Sequence, residues 1–276
     1  MSYNPTEMIA NKHTFIIPAY KNSIFLEDCI ISLQQQTIPS IIIITTSTPS
    51  DFVTGIAGKY NIEIAINEHD KGIAGDWNFA YKICKTKYLT LAHQDDVYLP
   101  TYTENCLHHA EKPTNNDTLI IFTNYEEIVS DRPGKISVIL LIKQMILLIF
   151  RIKNNIRSHF LKRIILSFGN PISCPTVMFN IENIGPFEFS DKYRYNLDWE
   201  AWLRLAKMHG KFIYINRKLM LHRIHSESQT IFQIRDNNRV KEEERIFTMI
   251  WNKPFAKLLM LFYRFGSAIN IRKTNK

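Results

Sequence analysis

The chain reads as an α/β fold with a mostly parallel central sheet flanked by helices, and three observations predict it. Short apolar runs of strand length recur through residues 13–125. Helical stripes separate them at a regular spacing, the pattern of a doubly wound sheet. No internal repeat suggests a solenoid instead.

Each element follows from its residues. HTFII (13–17) is a strand ended by Pro18. Ile24, Leu26, Ile30, Ile31 and Leu33 form a helical stripe, and IIIITT (41–46) is a β-branched strand. Residues 51–60 suit a helix, and IEIAI (62–66) a third strand. Gly72 and Gly75 precede a helix from about Asp76 to Cys84. Tyr88–Ala92 is a buried strand, a helix follows Pro100, and LIIFTNY (119–125) is a strand. The second half adds a strand at 176–180, a helix at 197–210 stopped by Gly210, a strand pair around 211–225, and a helix from about 235 to 250.

Residues 136–168 depart from this alternation, with one or two amphipathic helices predicted. They either pack on the sheet with basic residues outward or lie on an anionic membrane surface. The net charge of +8 is concentrated. No acid lies between Asp131 and Glu182, an interval holding Lys135, Lys143, Arg151, Lys153, Arg157, Lys162 and Arg163 among its basic residues. Residues 251–276 hold Lys253, Lys257, Arg264, Arg272, Lys273 and Lys276, again without an acid. The remainder is mildly acidic. Nucleic-acid binding is disfavoured, because no aromatic-basic interleaved motif accompanies the charge. Four scattered cysteines without a C-x-x-C pair argue against zinc and fit a reducing compartment. No stretch of about 18 apolar residues suits a spanning helix. The first residues lack the apolar core of a signal peptide, so a cytoplasmic location is expected.

The chemistry concentrates in YLTLAHQDD (88–96), where a strand ends in two adjacent carboxylates. Adjacent carboxylates repel and are costly to desolvate, and a hard cation relieves both costs. The alternative is a solvated loop, a common place for aspartate.

Four blocks together resemble the family 2 glycosyltransferases of bacterial surface-polysaccharide synthesis: FIIPAYKN (15–22), KGIAGDWNFAY (71–81), AHQDDVYLP (92–100) and LDWEAWLRL (197–205). LHRIHSES (221–228) extends the likeness. The resemblance implies a GT-A (Rossmann-like) fold with a C-terminal helical extension. It implies a glycosyltransferase domain over 1–228, with a nucleotide-sugar-binding half (13–125), the basic insertion (136–168) and an acceptor half (170–228). Residues 229–276 then form a basic, membrane-associating extension.

The same resemblance implies an inverting, metal-dependent transfer from a nucleotide-sugar, UDP by default, with Mn²⁺ or Mg²⁺ as cofactor. Asp96 becomes the metal ligand, and His225 a further ligand or a phosphate donor. Asp95 takes the ribose. Asp198 is the general base, with Glu200 as backup; a helix cap is the plainer role for Asp198. Pro18, Ala19, Tyr20, Thr46, Ser47, Asp76, Asn78, Gln94 and Arg223 complete the nucleotide-sugar set. Trp199 and Trp202 suit the core. TTSTPSD (45–51) lacks the acid expected after the second strand until Asp51, so hydroxyls, Asp76 or Asp70 would contact the base. The expected acceptor is a glycan or lipid-linked glycan at the inner face of the cytoplasmic membrane, reached by peripheral association with anionic lipid. A sugar-1-phosphate nucleotidyltransferase and a catalytically inactive binding subunit are the competing readings. A processive synthase is disfavoured, since those enzymes carry a Q-x-x-R-W block and several spanning helices and this sequence shows neither.

Overall fold

The computed structural model describes residues 12–69, 72–129, 132–133, 145–148, 150, 154–225 and 237–261. Most of the predicted insertion at 136–153 lies outside them, as do Asp70, Lys71, residues 226–228 and the tail beyond 261.

In chain order the elements are β1 (His13–Ala19), α1 (Leu26–Gln34), β2 (Ile41–Thr46), α2 (Asp51–Tyr60), β3 (Glu63–Ile66), α3 (Ile73–Ile83), β4 (Tyr88–Leu91), β5 (Val97–Tyr98) and α4 (Tyr102–Ala110). There follow β6 (Thr118–Val129), β7 (Arg132–Pro133), β8 (Asn155–Ile156), α5 (His159–Leu166), β9 (Val177–Asn180), α6 (Ile181–Ile184), α7 (Leu197–Lys207), β10 (Lys211–Ile224), α8 (Asn237–Ile250) and a last helix, α9, at 253–261.

The strands form one sheet in the order β3-β2-β1-β4-β9-β6-β10-β5, with β7 beside β6 and β8 beside β10. The pairs β2–β3, β1–β2, β1–β4 and β6–β10 are parallel. The strand β9 runs antiparallel to both neighbours, β4 and β6, so the sheet is mixed at its centre. The expected strand pair at 211–225 is instead one strand. Its register shifts between Ile215 and Met220, where Asn216, Arg217 and Lys218 are exposed. A polar trio in an apolar run looks like a turn in sequence, but a bulge accommodates it without reversing the chain.

Alternation along the strands builds two cores. Ile16, Leu89, Leu91, Ile120, Phe122 and Phe179 face one side, where α3, α5, α7 and α8 pack. Phe15, Ile17, Tyr88, Ile121 and Met178 face the other, against α1, α2 and α4. Trp199 and Trp202 are fully buried in the first core, and their indole N–H groups donate to Leu166 O and Ile172 O. The core reading of both tryptophans therefore holds.

The end of α7 is held by a buried cation. Lys162 Nζ donates to Met208 O and Gly210 O at 2.9 and 3.0 Å. Burial lowers its pKa to about 8, against the weaker pull of Asp117. Gly210 has φ +134°, and a Cβ there would meet Asp117 O at 2.5 Å. It therefore marks the tight entry into β10 rather than the helix end, which falls at Met208.

Candidate active site

The parallel strands β1, β2 and β4 deliver their C-terminal ends to one edge, where open α/β sheets bind ligands. Asp95 and Asp96 lie there, in the connection between β4 and β5. Asp96 N–H donates to His93 O at 3.1 Å, closing a tight turn. The bulge in β10 then lets its C-terminal half run beside β5, with Leu221 opposite Val97. That register brings His222, Arg223 and His225 to the two aspartates.

Asp96 is fully buried. Its Oδ1 accepts from Arg223 N–H at 3.1 Å and lies 2.9 Å from His222 Nδ1. Burial acts to lower the His222 pKa, but the charge of Asp96 and their hydrogen bond outweigh it and raise it to about 9. The other oxygen, Oδ2, has no hydrogen-bond partner among the described residues. Neither has His93 Nε2, although His93 Nδ1 lies 4.0 Å from that oxygen. An unsatisfied buried acceptor costs roughly 1–3 kcal/mol. Ligand atoms of His93, Asp95 and Asp96 all fall within 4.8 Å of one another. Two carboxylates and an imidazole, with an orphaned buried oxygen among them, fit a divalent cation that takes oxygen and nitrogen donors, as Mn²⁺ does.

Asp95 differs from its neighbour. Burial acts to raise its carboxyl, but the His225 hydrogen bond and the nearby His93 and His222 hold it below the usual range. His225 Nε2 lies 3.1 Å from Asp95 Oδ2, and its ring packs on Phe25 at 4.7 Å. So His225 meets Asp95, not Asp96, and stands outside the three-residue group. Arg223, expected in the nucleotide-sugar set, is buried. Its guanidinium bonds Asp95 O at 3.1 Å and Asp28 at 3.2 Å, over the Phe25 ring.

The remaining nucleotide-set residues divide. Gln94 bonds both backbone groups of Tyr20 at 3.1 Å, tying the end of β1 to the end of β4. Tyr20 is exposed at this edge, beyond Pro18 and Ala19 in β1. Thr46 Oγ1 accepts from Thr48 N–H, shaping the loop after β2. Ser47 and Asn67 both donate to Asp76 at 3.0 Å, beside the ends of β2 and β3. Burial raises the Asp76 carboxyl, and these two donors only partly offset it. Asn78 belongs elsewhere: its amide donates to Phe189 O and accepts from Phe189 N–H, which staples α3 to the loop before α7. Asp51 is exposed in the first turn of α2, whose cap is Ser50.

Asp198 lies half-buried in the first turn of α7, where the helix dipole favours its charged form. Asn170 donates to it at 2.7 Å, and so does Trp199 N–H at 2.8 Å. Glu200 is oriented differently. Both its oxygens accept from Arg204 Nε, at 2.8 and 3.0 Å. Buried Cys174 feels the charge of both Asp198 and Asp96. Burial chiefly raises its thiol pKa, and the charges of Asp198 and Asp96 both add to the rise.

His93 and His222 were not among the expected site residues. His93 carried a local signal, three residues before Asp96. His222 lay within the LHRIHSES block without a role of its own, because only strand register brings it to Asp96.

A family model described as glycosyl transferase family 2 matches residues 14–180. No curated protein sequence matches the chain significantly. Among solved structures, a mannosyltransferase from Pyrobaculum calidifontis in complex with GDP-Man and Mn²⁺ superposes with TM-score 0.60 at 12% identity, covering 94% of this chain and 75% of its own. S. aureus TarS residues 1–349 gives TM-score 0.59 at 13% identity, covering 90% of this chain and 69% of that one. The same TarS fragment in complex with UDP-GlcNAc gives 0.57 at 12%, with 90% and 70% covered. These likenesses carry the GT-A fold.

Proposed function

The chain belongs to glycosyl transferase family 2, and on that premise we propose that it transfers a hexose from a nucleotide-sugar to a glycan acceptor with inversion. The observation carrying this reading is the carboxylate constellation at the end of β4, where ligand atoms of His93, Asp95 and Asp96 lie within 4.8 Å of one another. The pathway proposed is bacterial capsule, O-antigen or exopolysaccharide synthesis, on a lipid-linked acceptor at the inner face of the cytoplasmic membrane. UDP is the default nucleotide. Among the described residues no helix is long and apolar enough to cross a membrane.

Asp96, Asp95 and His93 would hold Mn²⁺ or Mg²⁺. Bound there, the cation supplies charge neutralisation for the departing diphosphate. His222 and the Arg223 N–H act as positioning groups: they fix Asp96 Oδ1 and leave Oδ2 directed at the ion site. Asp95, held charged by His225, would in addition accept a hydrogen bond from the ribose. Ser47, Asn67 and Asp76 form the polar wall nearest the base, in place of the acid missing from the loop after β2. Tyr20 offers its exposed ring at the same edge.

Asp198 accepts the proton of the acceptor hydroxyl. The acceptor oxygen then bonds the anomeric carbon as the bond from that carbon to the diphosphate breaks, and the electron pair leaves with the diphosphate. A single displacement of this kind inverts the anomeric centre. Glu200 serves the helix instead, through its ion pair with Arg204. The proposed organisation is two units, a transferase domain over 1–228 with its insertion at 136–168, and an extension over 229–276.

The direct test is a thermal-shift panel of nucleotide-sugars with and without Mn²⁺. A metal-dependent stabilisation by a UDP-sugar is expected. A panel in which no nucleotide-sugar stabilises the protein, with or without metal, would overturn the reading.

A further inference from the structure

On α5, Lys162, Ile165 and Leu166 turn inward. Phe160, Arg163 and, just past the helix, Phe168 turn outward, with Phe160 70% exposed. Phe160 and Arg163, three residues apart, share one side of the helix. On α9, Ala256 and Met260 are buried, whereas Phe255, Leu258 and Leu261 are exposed, the last at 56%. The two elements meet through Trp251. Its indole N–H donates to Ser167 O at 2.8 Å, and its ring lies 5.6 Å from Phe168 and 4.8 Å from Phe255. The result is one aromatic and aliphatic face spanning two helices.

Its charge is of one sign. Arg163, Lys253 and Lys257 are exposed along it, and residues 132–181 and 251–276 contain no acid. The acidic run that precedes it in sequence belongs to α8, where Glu243 pairs with Arg239, Glu242 accepts backbone N–H groups of residues 194–196, and Glu244 is exposed. A second copy of the chain is a poor occupant, because a two-fold contact would set these cations against each other. Lysine is also depleted in protein interfaces. Aromatic and aliphatic groups interleaved with cations instead match the boundary between anionic headgroups and acyl chains.

We propose that the joined outer face of α5 and α9 docks the protein on an anionic lipid bilayer. This rests on the peripheral placement proposed above and names the surface that performs it. The aromatic side chains enter the interfacial layer, and the basic side chains hold the headgroups. Neither helix spans the bilayer.

The test is co-sedimentation of the full chain with phosphatidylcholine vesicles, with and without phosphatidylglycerol. Binding is expected only to the anionic vesicles, weakening as salt rises. Lys253→Gln with Lys257→Gln should lower partitioning roughly thirty-fold, at about 1 kcal/mol per basic residue near the surface. Phe255→Ser with Leu258→Ser should also release the protein, with its Mn²⁺-dependent nucleotide binding unchanged. Retained nucleotide binding separates failure of this face from failure of the transferase reading. A wild-type chain that stays unbound at low salt overturns the proposal. So do variants that bind like wild type, or a wild-type dimer that the Phe255/Leu258 variant converts to monomer without any vesicle binding.

Discussion

Asp96 and Asp198 both act on the same buried thiol, Cys174, yet the fold surrounds them differently. Asp96 sits in a turn between two strands, fully buried, with one oxygen fixed by His222 and Arg223 and the other without a hydrogen-bond partner. Asp198 sits at a helix start, half-buried, with neutral amide donors from Asn170 and Trp199. A carboxylate that holds a cation gains from a dry, rigid setting, where its charge acts at low dielectric. A carboxylate that takes a proton from a substrate must stay reachable. The contrast recurs within α7, where Glu200, two residues on, is locked to Arg204.

Four substitutions test this contrast. Asp198→Asn should lower kcat by roughly 10²–10⁴-fold, the range of general-base catalysis, with UDP-sugar affinity unchanged by calorimetry. A transfer rate near wild type would remove Asp198 from the base role. Asp96→Ala should lower Mn²⁺-dependent UDP affinity by on the order of a hundredfold. Unchanged affinity with and without Mn²⁺ would sink the metal assignment. His222→Phe should raise the Mn²⁺ concentration for half-maximal activity by about tenfold, with kcat recovering at saturating metal. A loss of kcat that added metal does not restore would place His222 in the chemistry itself. The smallest effect is expected for Glu200→Gln. It should retain wild-type transfer and lose on the order of 1 kcal/mol of unfolding free energy, since Glu200 is buried while its partner Arg204 stays partly exposed. A collapse of transfer in Glu200→Gln, alongside an active Asp198→Asn, would exchange the two roles.

Much of the fold was legible in sequence because its central strands are covered on both faces. Such strands appear as continuous apolar runs, as in IIIITT and YLTLA. Direction was not legible. The residues of β9 suit a parallel or an antiparallel partner equally, and only the path of the chain before it decides. Asn216–Lys218 looked like a turn because local polarity cannot distinguish a reversal from a bulge.

The candidate site shows the same division. Asp95, Asp96 and Asp198 were identified from local motifs, each with a strand end or helix start beside it. Asn78 belonged to one of those motifs too, but its amide is taken up by Phe189, 111 residues away. His222 was overlooked for the converse reason: its partner Asp96 is 126 residues distant.

The amino-acid sequence by itself determined the strand and helix alternation, the acidic pair at a strand end and the segregation of positive charge into two segments. These follow from local periodicity and composition, which need no knowledge of distant neighbours. Tertiary structure decided which imidazole meets which carboxylate, which acid on α7 is left accessible, and that α5 and α9 share one exposed face. Each of these depends on register and packing between segments far apart in the chain. There the free energy of burial, more than any local preference, selects the partner.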